Sequence, residues 1–172
     1  QAEKVSEWLI KIQNEDGSWS GGVFPQKNPK ASIFNTGQII KGLINIFRHT
    51  GKEIYLNAAI KGNRFLLSMM DNDGMFKGKD YQSNITPSYY TSVIWPMLEI
   101  WKQQKDNDTL EKCSLFLEII NKRRNKNGSF SYSGFEEKDY AFTHTIAYTL
   151  RGIQESAKIL QDKRLFNSTK DA

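Results

Sequence analysis

The stretch Phe142-Thr143-His144-Thr145-Ile146-Ala147-Tyr148-Thr149-Leu150-Arg151-Gly152 is the third copy of a spacing that runs through the whole chain. The three copies are Thr36-x-x-Ile39-x-x-x-Leu43, Thr91-x-x-Ile94-x-x-x-Leu98 and Thr143-x-x-Ile146-x-x-x-Leu150. Each is preceded within two residues by an aromatic side chain. A repeat period of about 50 residues is typical of stacked supersecondary units. We therefore expect a helical repeat fold.

Helices of a second kind lie between these copies. Val5, Trp8, Leu9 and Ile12 recur at helical spacing with charged residues on the opposite side, and similar stripes occur at 55–69 and 110–120. The helices with the threonine pattern are instead apolar on most sides. This alternation predicts an all-α fold, a partial α/α toroid of three helical hairpins, in which outer amphipathic helices surround inner buried ones.

A glycine turn follows each outer helix. Gln13-Asn14-Glu15-Asp16-Gly17-Ser18-Trp19 is matched by Met70-Asp71-Asn72-Asp73-Gly74-Met75-Phe76 and by Asn127-Gly128-Ser129-Phe130. Short polar residues beside glycine favour tight turns. The aromatic residues that close the three turns, Trp19, Phe76 and Phe130, are predicted to occupy equivalent buried positions.

The length predicts one domain over 1–160, with hairpin units at about 2–48, 53–104 and 108–160 and a polar tail over 161–172. The absence of a membrane span or signal pattern from the sequence suggests a cytoplasmic protein. The net charge of +5 is spread along the chain, which argues against nucleic-acid binding. The lone cysteine, Cys113, lies in an apolar stripe and is predicted to be a core residue.

The turn at 13–19 resembles the QxxDGSW turn of terpenoid cyclases. Phe34-Asn35-Thr36-Gly37-Gln38, Tyr89-Tyr90-Thr91 and Thr143-His144-Thr145-Ile146-Ala147-Tyr148 resemble a group of bacterial α/α-toroid proteins with prenyltransferase and squalene-oxidase-like repeats. These proteins are often associated with polysaccharide biosynthesis. The resemblance covers residues 8–160 and implies the toroid, whereas the fold hosts several chemistries. Complete toroids have more hairpins, so the resemblance also implies missing N-terminal hairpins or self-association.

The sequence disfavours several of these chemistries. Terpenoid cyclisation needs an acidic proton donor, and the nearest string, Asp71-Asn72-Asp73-Gly74, occupies a turn. Zinc enzymes of this fold use cysteine and histidine sets that one cysteine and two histidines do not supply. No phosphate-binding or dinucleotide fingerprint is present. We therefore expect neither a metal nor a cofactor.

Carbohydrate chemistry fits the remaining residues better. His144 and Tyr148 are four residues apart on one helix face, and together with a loop carboxylate, Glu136 or Asp139, they could remove a proton next to a uronate carboxyl group. The first turns of the inner helices add possible ligand-binding residues: Asn35, Gln38, Tyr89, Tyr90 and Tyr140. We expect a carbohydrate-active or carbohydrate-binding protein of bacterial polysaccharide metabolism, with an acidic carbohydrate as partner.

Other interpretations stay open at this point. The motif threonines could bond back to the preceding turns, and Tyr89 and Tyr90 could fill the wedge between helices. The chain could then be a non-catalytic scaffold that self-associates or binds a protein. A hydrophobic ligand, as in terpenoid cyclases and prenyltransferases, is the third possibility. No motif names a reaction, so whether the protein is an enzyme is undecided.

Overall fold

The computed structural model describes residues 1–22, 30–77, 85–135 and 140–170, and in these ranges the predicted all-α class is confirmed. The helices are α1 (Ala2–Lys11), α2 (Ile33–Thr50), α3 (Glu53–Ser68), α4 (Thr91–Gln104), α5 (Asn107–Lys122), α6 (Thr143–Leu160) and α7 (Lys163–Asn167), with a 3₁₀ turn over Ser88–Tyr90. Two short strands, β1 (Trp19–Ser20) and β2 (Ala31–Ser32), pair antiparallel. Among the described residues, no helix has the length and apolar character needed to cross a bilayer.

The helices form two rows. In the first, α4 packs against both α2 and α6, and these three helices carry the threonine pattern. In the second, α3 packs chiefly on α2, α5 on α4 and α7 on α6. The inner row supplies much of the core, including Ile40, Leu43, Val93, Met97 and Ile153. The helices α2 and α4, which have apolar residues on most sides, thus also have neighbours on most sides.

The closest hairpins join each inner helix to the outer helix that follows it. The α2–α3 contact is far more extensive than the α1–α2 contact. The units predicted at 2–48, 53–104 and 108–160 instead join each outer helix to the inner helix that follows. A short connection at Gly51 brings α2 and α3 together.

The three turns have the same backbone. Gly17, Gly74 and Gly128 have φ angles of +94°, +79° and +86°, in the region that favours glycine. In each turn an amide donates to the carbonyl four residues later: Asn14 to Ser18, Asp71 to Met75 and Asn125 to Ser129. The rings that close the turns, Trp19, Phe76 and Phe130, are only 1%, 6% and 7% exposed. Their predicted burial in equivalent positions is confirmed.

Each of the first two turns rests on the next outer helix. A Cβ atom on Gly17 would come 2.3 Å from the Lys61 carbonyl oxygen of α3. A Cβ atom on Gly74 would come 2.8 Å from the Lys112 carbonyl oxygen of α5. The Phe76 ring also contacts Phe116 of α5, with centroids 5.7 Å apart. Neighbouring repeats are therefore joined by a turn-on-helix contact that occurs twice.

Within the polar tail predicted over 161–172, the described residues 161–170 include the helix α7. Gln161 ends α6 in a left-handed conformation and α7 begins two residues later, as α5 does after Lys105. Leu165 and Thr169 are 3% exposed, in the places that Thr109 and Cys113 take in α5. The segment therefore starts like a fourth outer helix, and α7 packs on α6.

Candidate functional site

An aromatic cluster joins the three inner helices at their N-terminal ends. Phe34 of α2 lies 5.4 Å from Tyr148 of α6 and 5.6 Å from Tyr89, measured between ring centroids. Phe135 lies 6.2 Å from Tyr89 and 5.1 Å from Phe142. The aromatic residues before each threonine pattern thus meet in one place, because the inner helices lie side by side and start at similar levels.

His144 forms the exposed edge of this cluster. Its ring stacks on Phe142 with centroids 5.7 Å apart and meets Tyr148 edge-on at 6.0 Å. Phe142 and Tyr148 are 44% and 37% exposed, so a planar ligand has ring surface to contact. The predicted pairing of His144 with Tyr148 on one face is confirmed.

Tyr89 and Tyr90 lie beneath this edge rather than on it. Both are 2% exposed and are packed among rings that include Phe34 and Phe76. This arrangement matches the wedge-packing interpretation. The two tyrosines support the exposed rings and offer almost no surface to a ligand, because neighbouring side chains cover them.

The other predicted residues are dispersed. Asn35 donates to the Ser20 carbonyl at 3.2 Å and lines a cavity between α1 and α2, away from His144. Gln38 donates to Ser92 of α4, with its carbonyl and its hydroxyl both 3.4 Å away. Tyr140 is 94% exposed. Glu136 and Asp139 lie outside the described residues.

Below the aromatic cluster the inner helices share an open face. It consists of Phe34, Gln38 and Lys41 of α2, Trp95 and Glu99 of α4, and Tyr148, Arg151 and Glu155 of α6; we call it the inner face. Contacts across the helices hold it in register: Phe34 with Tyr148, Gln38 with Ser92, and further down the ion pair of Arg48 with Glu99. Its side chains are half-buried or exposed, so the face is accessible.

Two cations converge on one indole ring at the centre of the inner face. The Lys41 ammonium lies 4.4 Å from the centroid of the Trp95 ring, and the Arg151 guanidinium lies 5.2 Å from it. The three side chains come from α2, α4 and α6. A cation over an exposed indole gains about 0.5–1 kcal/mol, so the ring holds both charges in place. We call this arrangement the cation clamp.

The clamp carries positive charge that no described carboxylate pairs directly. Within the described ranges, neither Lys41 nor Arg151 lies within ion-pair distance of an acid. Glu155 pairs with Lys158 at 3.0 Å, and Glu99 pairs with Arg48 and Lys102. Burial lowers the pKa of Lys41, and Arg151 lowers it further, whereas Glu155 opposes the change. An anion at the clamp would relieve this repulsion.

Sequence reasoning missed the clamp. Lys41, Trp95 and Arg151 are ordinary residues of their helices, and none of them belongs to the threonine pattern. One signal was available: Lys41 and Arg151 each lie three residues after a predicted site residue, Gln38 and Tyr148, and Trp95 lies four residues after the pattern threonine Thr91. Following each inner helix one turn further would have found all three.

Lys122, Arg123 and Arg124 form a basic cluster at the end of α5, and the middle residue, Arg123, has a structural role. Arg123 donates to the Thr86 carbonyl at 2.7 Å and lies 4.8 Å from the Tyr132 ring. Burial lowers the pKa of its guanidinium. Arg123 therefore ties the end of α5 to the segment before α4.

The inner face thus combines an aromatic edge with a cationic centre, two features suited to a planar or ring-shaped anion. No protein-family model matches the chain, and no curated protein sequence is significantly similar to it.

Proposed function

We propose that this protein binds an acidic carbohydrate along the inner face. The observation that carries the proposal is the cation clamp, in which Lys41 and Arg151 meet on Trp95. A uronate carboxylate suits two cations that have no described carboxylate within ion-pair distance, and charge-assisted hydrogen bonds are among the stronger polar contacts. The ring of the same or a neighbouring sugar could stack on an exposed aromatic side chain.

The aromatic edge supports an extended ligand. Tyr148 lies between the clamp and His144, since it precedes Arg151 by three residues and contacts the His144 ring. A chain of sugars could therefore run from Trp95 to Phe142. The charges of the clamp also disfavour a purely hydrocarbon ligand, because burying a charged group without a partner is costly.

Calorimetric titration tests this proposal directly. An oligouronate should bind the wild type, and a neutral oligosaccharide of the same length should bind at least tenfold more weakly. Lys41→Ala and Arg151→Ala should each reduce oligouronate affinity about tenfold or more, because a hydrogen bond to a charged group contributes about 1.5–3 kcal/mol. Trp95→Ala should also weaken binding, because the indole ring no longer holds the two cations together. Lys112→Ala on α5 is the matched control and should bind normally. Equal affinity for both ligands would refute the proposal.

Catalysis is a second candidate, favoured by the contact of His144 with Tyr148. Elimination across a uronate needs a base that takes the proton from the ring carbon bearing the carboxyl group, and an acid that protonates the glycosidic oxygen as its C–O bond breaks and the C=C bond forms. In this candidate the His144 imidazole is the base and the Tyr148 phenol is the acid. An oligouronate incubated with the wild type would then give an unsaturated product with new ultraviolet absorbance. His144→Gln should abolish that signal while leaving the affinity unchanged. If the wild type binds the sugar and gives no product, the protein is a binding protein.

The α/α toroid is the corresponding proposal for the fold. Two rows of helices with successive inner helices side by side are the expected arrangement of a toroid segment. Small-angle scattering tests it, since a curved two-row segment and a compact bundle of the same mass give different distance distributions.

A further inference from the structure

Apolar surfaces lie at both ends of the helical rows. At one end, Val5 and Trp8 of α1 are 51% and 46% exposed. At the other, the third turn and the start of α6 line a cavity of about 190 Å³. Its walls include Gly128, Phe130, Ile146 and Leu150, and Ile146 is 42% exposed. We call the first surface the α1 face and the second the turn-3 groove.

The repeat shows what each surface contacts elsewhere in the molecule. Aligning the glycines of the turns places Gly62 of α3 and Phe116 of α5 at the position of Val5. Gly62 is buried, and a Cβ atom there would come 2.8 Å from the Trp19 ring of the first turn. Phe116 is fully buried against Phe76 of the second turn. In α3 and in α5, the residue at this position therefore packs against the turn of the preceding repeat. The same contact covers that turn.

We propose that α1 of a second copy of this chain docks in the turn-3 groove. The contact would be a third example of the turn-on-helix contact that joins the repeats within one copy. Val5 would lie under the third turn, as Phe116 lies under the second. The two surfaces differ, so the association is head to tail. In a dimer, one copy keeps a free α1 face and the other keeps a free turn-3 groove. Further copies can therefore add, and the assembly grows as the protein concentration rises.

The segment that follows α7 should weaken this docking. α7 occupies the first part of the fourth outer position, and the alignment places Thr169 where Ala2 of the second copy would lie. Residues 168–170 therefore compete with α1 of the second copy for one end of the groove. Shortening the chain after Asn167 should strengthen the association, since it removes the competitor and leaves α7 in place.

Two single-surface variants test the proposal by sedimentation. Val5→Lys blocks the α1 face and Ile146→Lys blocks the turn-3 groove, and both residues are already exposed, so the fold should tolerate them. Wild type should show weight-average mass that rises with concentration, whereas each variant alone should stay monomeric. An equimolar mixture of the two should give a 1:1 dimer that grows no further, because one blocked surface remains at each end.

Ile54→Lys is the control, since Ile54 is an equally apolar side chain, 57% exposed, on neither surface. It should associate like the wild type. A wild type that stays monomeric at tens of micromolar, both as the 172-residue chain and when shortened after Asn167, would overturn the proposal. Two blocked variants that still associate alone would overturn it as well. Neither result bears on the oligouronate titration, which monitors the inner face.

Discussion

Gly17 packs directly on the backbone of Lys61, and a Cβ atom on Gly17 would come 2.3 Å from the Lys61 carbonyl oxygen. The two residues are 44 positions apart, yet their contact joins the first turn to the outer helix of the next repeat. The φ angle of +94° at Gly17 is what lets the turn approach so closely. Both the conformation and the space therefore require glycine.

Gly17→Ala should destabilise the protein by about 2–5 kcal/mol. The left-handed conformation costs a residue with a Cβ atom about 1–2 kcal/mol, and overpacking against backbone adds about 1–3 kcal/mol. Gly51→Ala is the control, because Gly51 has a φ angle of +70° but a Cβ atom added there would meet nothing within 4 Å. It should cost only about 1–2 kcal/mol. Urea denaturation measures the free energy of unfolding of both variants. Equal decreases would show that the backbone around Lys61 moves to accommodate the added methyl group.

Gly152 and Gly42 should respond oppositely to alanine. A Cβ atom on Gly152 of α6 would come 2.3 Å from the Thr91 backbone carbon, so Gly152→Ala should force α4 and α6 apart and cost about 1–3 kcal/mol. A Cβ atom on Gly42 of α2 would meet nothing within 4 Å. Gly42→Ala should therefore stabilise the helix by about 0.5–1 kcal/mol. Thermal melting followed by circular dichroism compares the two, and a stabilising Gly152→Ala would contradict the close helix contact.

The thiol of Cys113 should be unreactive in the folded protein. Its side chain is fully buried, and burial raises the pKa of the thiol, so the reactive thiolate is scarce. An aromatic disulfide reagent should modify it only as fast as the protein unfolds, and at once in denaturant. A cysteine placed at exposed Leu115 in a Cys113→Ala background should react without denaturant. Rapid modification of the native wild type would contradict the assignment of Cys113 to the core.

Binding of an oligouronate should weaken at alkaline pH. The pKa of Lys41 is below its ordinary 10.5, chiefly because of burial, so the ammonium loses its proton earlier than an exposed lysine does. Since the clamp needs that charge, affinity should fall as the pH rises through the lowered pKa. The free energy of unfolding changes in the opposite direction. Because the pKa of Lys41 is lower in the folded state than in the unfolded state, its charge destabilises the fold at pH values below the folded pKa. This destabilisation is relieved as the pH rises from the folded pKa towards the unfolded pKa.

The Lys41→Arg variant distinguishes loss of the Lys41 charge from alkaline unfolding as the cause of weaker oligouronate binding. Arginine keeps its charge at every pH used, so the variant should retain its affinity where the wild type loses it. Calorimetry at several pH values, with unfolding monitored in parallel, provides the comparison. Parallel loss of affinity in both proteins would show that Lys41 does not control the pH dependence.

Local chemistry determined the elements of this fold. Apolar residues at helical spacing define a helix whatever surrounds them, and a left-handed turn selects glycine, so the helices and the turns at Gly17, Gly74 and Gly128 were predictable. The threonine pattern did not predict the same environment in all three helices. Thr36 and Thr91 are fully buried, and Thr36 accepts from the Trp19 amide at 3.0 Å, as the alternative interpretation had it. Thr143 is exposed, and Thr145 takes the buried place, where its hydroxyl donates to the Phe142 carbonyl at 2.8 Å.

Packing between distant helices decided the candidate site. Residue type alone made Tyr89, Tyr90 and Asn35 look like ligand contacts, but the neighbours of each helix determine which of its sides is open, and periodicity does not report neighbours. Lys41, Trp95 and Arg151 became a site only when α2, α4 and α6 were placed side by side at matching levels. The same holds for α7, whose polar sequence forms helix because α6 covers Leu165. The amino-acid sequence by itself determined the helices and turns through short-range backbone and periodicity effects, whereas their registration, and hence the cation clamp, depends on contacts between residues more than 50 positions apart.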